Sequence, residues 1–205
     1  MVALPVTSAW RRAPLATESL GASNLFAGQG VLALFLAAWF ALERGVSLRT
    51  FLHLPAGRWP WRLARGVRVG ALGWLATLAA MAILGGLAEV AGIRAQEGFS
   101  DLVVWIARRP LALRVSLILV AMIVEETFFR AFLQPRFGLA FATLCFAMSH
   151  MNYGSPVMSG GVFVIGLVLA LTFRRYDDLA ICAIAHGLFD AIQLLVVLPL
   201  VASQL

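Results

Sequence analysis

A small set of residues inside otherwise apolar runs is of the types that do chemistry: Glu125, Glu126, Arg130, His150, His186 and Asp190. Carboxylates and imidazoles brought together can transfer protons, stabilise a developing charge or ligate a metal ion. Helical spacing sorts the groups by face. Glu126 and Arg130 stand i,i+4 and can pair. Glu125 lies about 100° round from Glu126, on the face of Phe129. Phe146 and His150 are i,i+4, and so are His186 and Asp190. An ionisable side chain at the centre of a bilayer costs about 2.5–3.5 kcal/mol, so each needs a reason for being there.

The elements that carry these residues are membrane helices. The chain has 205 residues, of which 61% are hydrophobic and 13% charged; soluble domains carry roughly 25% charged residues. Its net charge of +6 comes from arginine alone. The arginines lie mostly between apolar runs, where they serve as membrane-flanking anchors, and no aromatic–basic interleaving suggests nucleic acid. Hydropathy and punctuation predict six spans, near 25–42, 67–92, 111–133, 137–151, 157–173 and 179–198. A basic loop fills 43–66, a short amphipathic helix is expected around 99–107, and Pro135 is expected to end the third span. "MNYGSP" reads as a turn-forming cluster. Residues 1–24 hold Arg11 and Arg12 but no short apolar stretch with a cleavage site, so no cleaved leader is expected. Arginine distribution between the loops favours both termini on the outer side. The fold class is therefore all-α, a polytopic membrane bundle with about six transmembrane helices. Residues 1–95, two spans and the basic loop, are read as an N-terminal membrane region, and 96–205 as the membrane core that carries the ionisable groups.

Depth brings the polar groups together. At 1.5 Å per residue, Glu125 lies roughly 15 Å from Pro135, His186 roughly 12 Å from Asp178 and His150 roughly 20 Å from Phe137. All three distances start from one membrane face and end near the middle of a hydrocarbon layer about 30 Å thick. A carboxylate and two imidazoles on three helices thus converge on one zone. Cys145 and Cys182 read as small buried hydrophobes, although Cys182 is i,i+4 from His186 and could serve a thiol transpeptidase. His53 reads as a surface residue. The glycines of "LGGLAEVAG" are expected to permit close helix packing.

The motifs "EETFFR" (125–130), "FAMSH" (146–150) and "HGLFD" (186–190) follow one another as EExxxR, FxxxH and HxxxN/D. Together they resemble the CAAX prenyl protease type II family, also called the Abi or CAAX-protease-and-bacteriocin-processing family, of intramembrane glutamic endopeptidases. The resemblance covers about residues 100–198. It implies that Glu125 is the general base that activates water and that His150 holds and polarises that water. His186 and Asp190 would face the oxyanion, and Glu126, Arg130 and Phe146 would support the site. CAAX-processing members carry Asn where this chain has Asp190. An ionised Asp cannot donate, so either it is protonated or it orients His186 and leaves that ring to donate.

The implied activity is hydrolysis of a peptide bond in a membrane-associated protein or peptide, in the inner (plasma) membrane of a bacterium, with the lipid bilayer as the other partner. No cofactor is expected. Zinc held by the glutamate and the two histidines is the alternative. The other function classes are an inactive membrane scaffold or immunity protein and a proton-coupled transporter. A transporter would spread polar residues along a path rather than gather them at one depth.

Overall fold

The computed structural model describes residues 25–43, 45–57, 59–92, 101–151 and 155–203. Among the described residues all regular structure is helical. The principal helices are α1 (Ala27–Leu42), α2 (Trp59–Val90), α3 (Leu111–Glu126), α4 (Leu139–Ser149), α5 (Pro156–Tyr176) and α6 (Leu179–Ala191). Two of them continue through wide π-helical turns. Thr127–Leu133 carries α3 onward into Gln134–Phe137, and Ile192–Val197 carries α6 onward into Leu198–Ala202.

The bundle is apolar on its outer faces and holds a few charged groups within a largely apolar core. Leu34, Leu75, Ile83 and Leu87 are exposed on its outer faces, while Glu126, Arg130 and Asp178 are buried among residues such as Phe129, Phe146 and Leu169. An apolar exterior suits a bilayer as solvent, where buried charges must be paired. Three helical stretches are long and apolar enough to cross a membrane, Trp59–Val90, Pro156–Tyr176 and Leu179–Ala202; α1 and α4 are shorter apolar helices. The all-α membrane bundle expected from the sequence is the fold observed.

Several boundaries differ from expectation for identifiable reasons. The second span starts at Trp59, not 67, so much of the basic loop is helical. Pro60 does not prevent this, because the second residue of a helix has no intrahelical bond for its missing N–H to lose. Pro135 does not end the third span either. It falls in the first turn of Gln134–Phe137, just past the π turns, where the Gln134 N–H reaches back to the Phe129 carbonyl. The helix stops instead at Gly138, whose φ of 87° favours glycine. The fourth span is only the eleven residues Leu139–Ser149. That is about half the hydrocarbon thickness, so His150 caps the helix inside the bundle rather than riding on a helix that crosses it. The expected short helix near 99–107 is present as Asp101–Ala107 and packs on Leu198–Ala202. Residues 1–24 and the middle of "MNYGSP" lie outside the described residues.

Close packing of α2 on its neighbours uses different glycines from those expected. A Cβ at Gly85, Gly86 or Gly92 would meet nothing within 4 Å. The tight contacts are at Gly66 and Gly70 against α6 and at Gly73 against α5. A Cβ on Gly70 would stand 2.7 Å from the Ala185 carbonyl oxygen. The buried face of α2 is Arg62, Gly66, Gly70, Gly73 and Thr77, one stripe at helical spacing.

The segment between α1 and α2 is tied down rather than free. Arg62 donates to Asp178 at 2.6 Å and to the Pro55 carbonyl, and Asp178 also caps α6 by accepting from the Ala180 N–H at 3.1 Å. His53 is not a plain surface residue. It is half-buried, its Nδ1 lies 2.7 Å from Asp177, and its carbonyl accepts from the Leu179 N–H at 3.2 Å. These bonds fix where α6 begins, and so the height at which His186 sits.

Candidate active site

Glu125 and Glu126 close the last α-turn of α3, and successive residues on a helix point about 100° apart. The two carboxylates therefore serve different neighbours. Glu125 faces α1 and the end of α4. Its Oε1 accepts from Gln29 Nε2 at 3.1 Å, and its Oε2 lies 3.6 Å from His150 Nε2. Glu126 faces α6. Its Oε1 accepts from His186 Nδ1 at 2.9 Å, and its Oε2 accepts from Arg130 Nε at 3.2 Å. Glu126 and Arg130 are both fully buried. A buried ion pair of this kind holds only when both charges are present, because removing one leaves the other uncompensated.

His150 owes its orientation to the end of α4. Its ring Nδ1 lies 2.8 Å from the Phe146 carbonyl and 2.9 Å from Ser149 Oγ. A carbonyl only accepts, so Nδ1 carries the hydrogen and a neutral ring presents the lone pair of Nε2 towards Glu125. His186 is fixed in the same way by Glu126: an ionised carboxylate only accepts, so Nδ1 donates and Nε2 points along α6 to Asp190, 3.4 Å away. Asp190 stands within electrostatic reach of His186, Glu125, His150 and Glu126.

Phe146 joins the two halves. Its buried ring lies 4.7 Å from the His150 ring and 5.7 Å, edge-on, from that of His186. The Arg130 guanidinium sits 4.9 Å from the ring centroid, a cation–π contact that partly compensates a buried charge. The ring fits because α5 offers Gly166 there: a Cβ on Gly166 would stand 2.8 Å from Phe146 Cδ1.

The structure thus brings Glu125, Glu126, Arg130, Phe146, His150, His186 and Asp190 into one cluster. His186 bonds directly to Glu126, which therefore links α3 to α6 as well as pairing with Arg130. Cys182 is turned away: its buried Sγ donates to the Leu169 carbonyl at 3.6 Å. Among the described residues no group of three or more His, Cys, Asp or Glu side chains is arranged to hold a metal ion.

Sequence reasoning missed Gln29 because it looked for ionisable groups. The signal was available, as Gln29 is a lone amide in an apolar run, "FAGQGVL". It also missed the π turns that begin at Thr127. No residue in "TFFRAFL" announces them, although such turns often occur at functional sites. Arg114, a charge within an apolar run, donates to the Leu194 carbonyl at 2.8 Å and so serves the π turns of the other helix.

A helix bundle with a lipid-facing apolar exterior and ion-paired carboxylates and imidazoles within defines an integral membrane protein with a buried polar site. Residues 107–192, which include all three motifs, match the Rce1-like family, described as type II CAAX prenyl endopeptidase, Rce1-like. That is the family the motifs resemble, and the match spans 86 of the 205 residues. Comparison with curated proteins and with solved structures gave no match.

Proposed function

We propose that the protein is an intramembrane endopeptidase that hydrolyses a peptide bond of a membrane-associated protein or peptide with water activated by Glu125. The observation that carries this reading is the 3.6 Å approach of Glu125 Oε2 to His150 Nε2 inside a buried cluster. That separation is too long for a direct hydrogen bond, yet one water at about 2.8 Å from each atom can donate to both. Its two O–H bonds would point at the carboxylate and the imidazole, leaving a lone pair for the scissile carbonyl. Glu125 takes the proton as the C–O bond forms. The oxyanion is stabilised from the α6 side, by His186 Nε2–H in the protonated ring or by protonated Asp190. Collapse of the tetrahedral intermediate breaks the C–N bond, and Glu125 returns its proton to the leaving amine. Glu126 and Arg130 hold His186 and the ring of Phe146 in register.

In this reading residues 96–205 form the catalytic core, no cofactor takes part, and the enzyme works in a bacterial inner membrane. The test compares peptide termini by mass spectrometry in cells carrying wild type or Glu125→Gln. Termini that vanish in the variant, at equal protein level and membrane insertion, support the reading and identify the substrate. The purified wild type should cut that substrate equally fast with a strong zinc chelator present. Identical termini in both strains would remove the hydrolase reading.

A further inference from the structure

Glu125 has two oxygens with different surroundings. Oε2 is buried, has no hydrogen-bond partner and faces His150 Nε2. Oε1 is held from outside the family-matched segment, by Gln29 on α1, across 96 positions of sequence. Gln29 is itself half-buried, and its own Oε1 is enclosed without a hydrogen-bond partner. An amide at that depth, with one end unsatisfied, is not there to stabilise α1, which would pack as well with leucine.

We infer that Gln29 is a positioning residue for the reaction: its Nε2–H fixes Glu125 Oε1, so that Oε2 alone is left to take the proton from water. This inference rests on the proposed role of Glu125 as general base. A carboxylate with both oxygens free turns over a broad range about its last torsion, and only part of that range points a lone pair at the water. A donor held on one oxygen narrows the range and keeps the other oxygen on the water. The consequence is that α1 belongs to the catalytic apparatus even though the motifs lie wholly on α3, α4 and α6.

The experiment measures steady-state cleavage by the full chain in proteoliposomes for wild type, Gln29→Leu, Gln29→Asn, Val31→Leu and Glu125→Gln, with thermal unfolding of each. Gln29→Leu should lower kcat about tenfold to 100-fold at unchanged KM and unchanged unfolding temperature. Gln29→Asn, which keeps the amide on a shorter arm, should recover part of that loss. Val31→Leu, at an exposed position on the same helix, should behave as wild type. A Gln29→Leu enzyme with wild-type kcat, beside a dead Glu125→Gln, overturns the role of Gln29 and leaves the proposed chemistry standing. So does a loss of kcat in Gln29→Leu that follows a fall in its unfolding temperature and is not relieved by Gln29→Asn. Normal cleavage by Glu125→Gln overturns both.

Discussion

Replacing Gly166 by alanine should damage catalysis from a helix that carries none of the three motifs. The added Cβ would stand 2.8 Å from Phe146 Cδ1, and ordinary contact begins at 3.4 Å, so the ring must give by about 0.6 Å. It has little room to do so. Phe146 is 2% exposed, with Phe129 edge-on at 5.2 Å, Arg130 at 4.9 Å and the His150 ring at 4.7 Å. The displacement passes to His150, whose Nε2 shares a water with Glu125 in the proposed reaction. Misplacing a catalytic group by 1 Å can cost about 100-fold, so kcat should fall about tenfold to 100-fold with KM little changed. Overpacking should cost about 1–3 kcal/mol of stability, offset in part by up to about 1 kcal/mol from alanine's better helix propensity. The assay is steady-state peptide cleavage in proteoliposomes with thermal unfolding in parallel. Gly160→Ala is the control: its Cβ would collide with the end of the Leu84 side chain, away from the site, and it should alter stability without altering kcat. A Gly166→Ala enzyme with kcat within twofold of wild type would refute the chain of contact from α5 through Phe146 to His150.

Two further expectations concern the scaffold. Gly70→Ala places a Cβ against the backbone of Ala185, which cannot move aside, and should destabilise by about 1–3 kcal/mol. Gly85→Ala meets open space and should be neutral or stabilising by up to about 1 kcal/mol; thermal unfolding distinguishes the two. Arg62→Ala leaves Asp178 buried without its cation and should cost about 3–5 kcal/mol. Asp178→Asn in the same chain keeps the cap on α6 while removing the stranded charge, and should restore much of the unfolding temperature.

The site was legible in the sequence to the extent that burying charge in lipid is costly. Glu125, Glu126, Arg130, His150, His186 and Asp190 each stood out against an apolar background, and i,i+4 spacing alone paired Glu126 with Arg130 as observed. Periodicity could not say which glutamate His186 would meet, because that depends on the rotation of α6 about its axis, set by Gly66 and Gly70 on α2. Gln29 escaped because an uncharged amide carries a weaker penalty in lipid and so a weaker signal. The reach of Trp59–Val90 and the passage of the helix through Pro135 escaped because proline reads as a breaker until its place in the turn is known. Gly85 and Gly86 drew attention as a pair, yet a glycine reports close packing only when a neighbour actually approaches it.

The wide turns of Thr127–Leu133 bear on how this chain tolerates insertion and deletion. A turn closed by i→i+5 bonds holds about one residue more than an α-turn, so the segment takes up extra chain without rotating the helix beyond it. Gln134 can still donate to the Ala170 carbonyl on α5, and Arg136 still covers the Trp39 ring of α1, at 2.9 and 4.3 Å. Loss of one residue within 131–133 could be absorbed by rewinding to α geometry, with Arg130 and Gln134 both near their present faces. The same loss within 111–124 would swing both glutamates about 100° from their partners on α1 and α6, or drag the whole upstream helix round with them. Length variation among chains built on this plan should therefore collect between Arg130 and Gln134, and be purged just upstream of the paired glutamates.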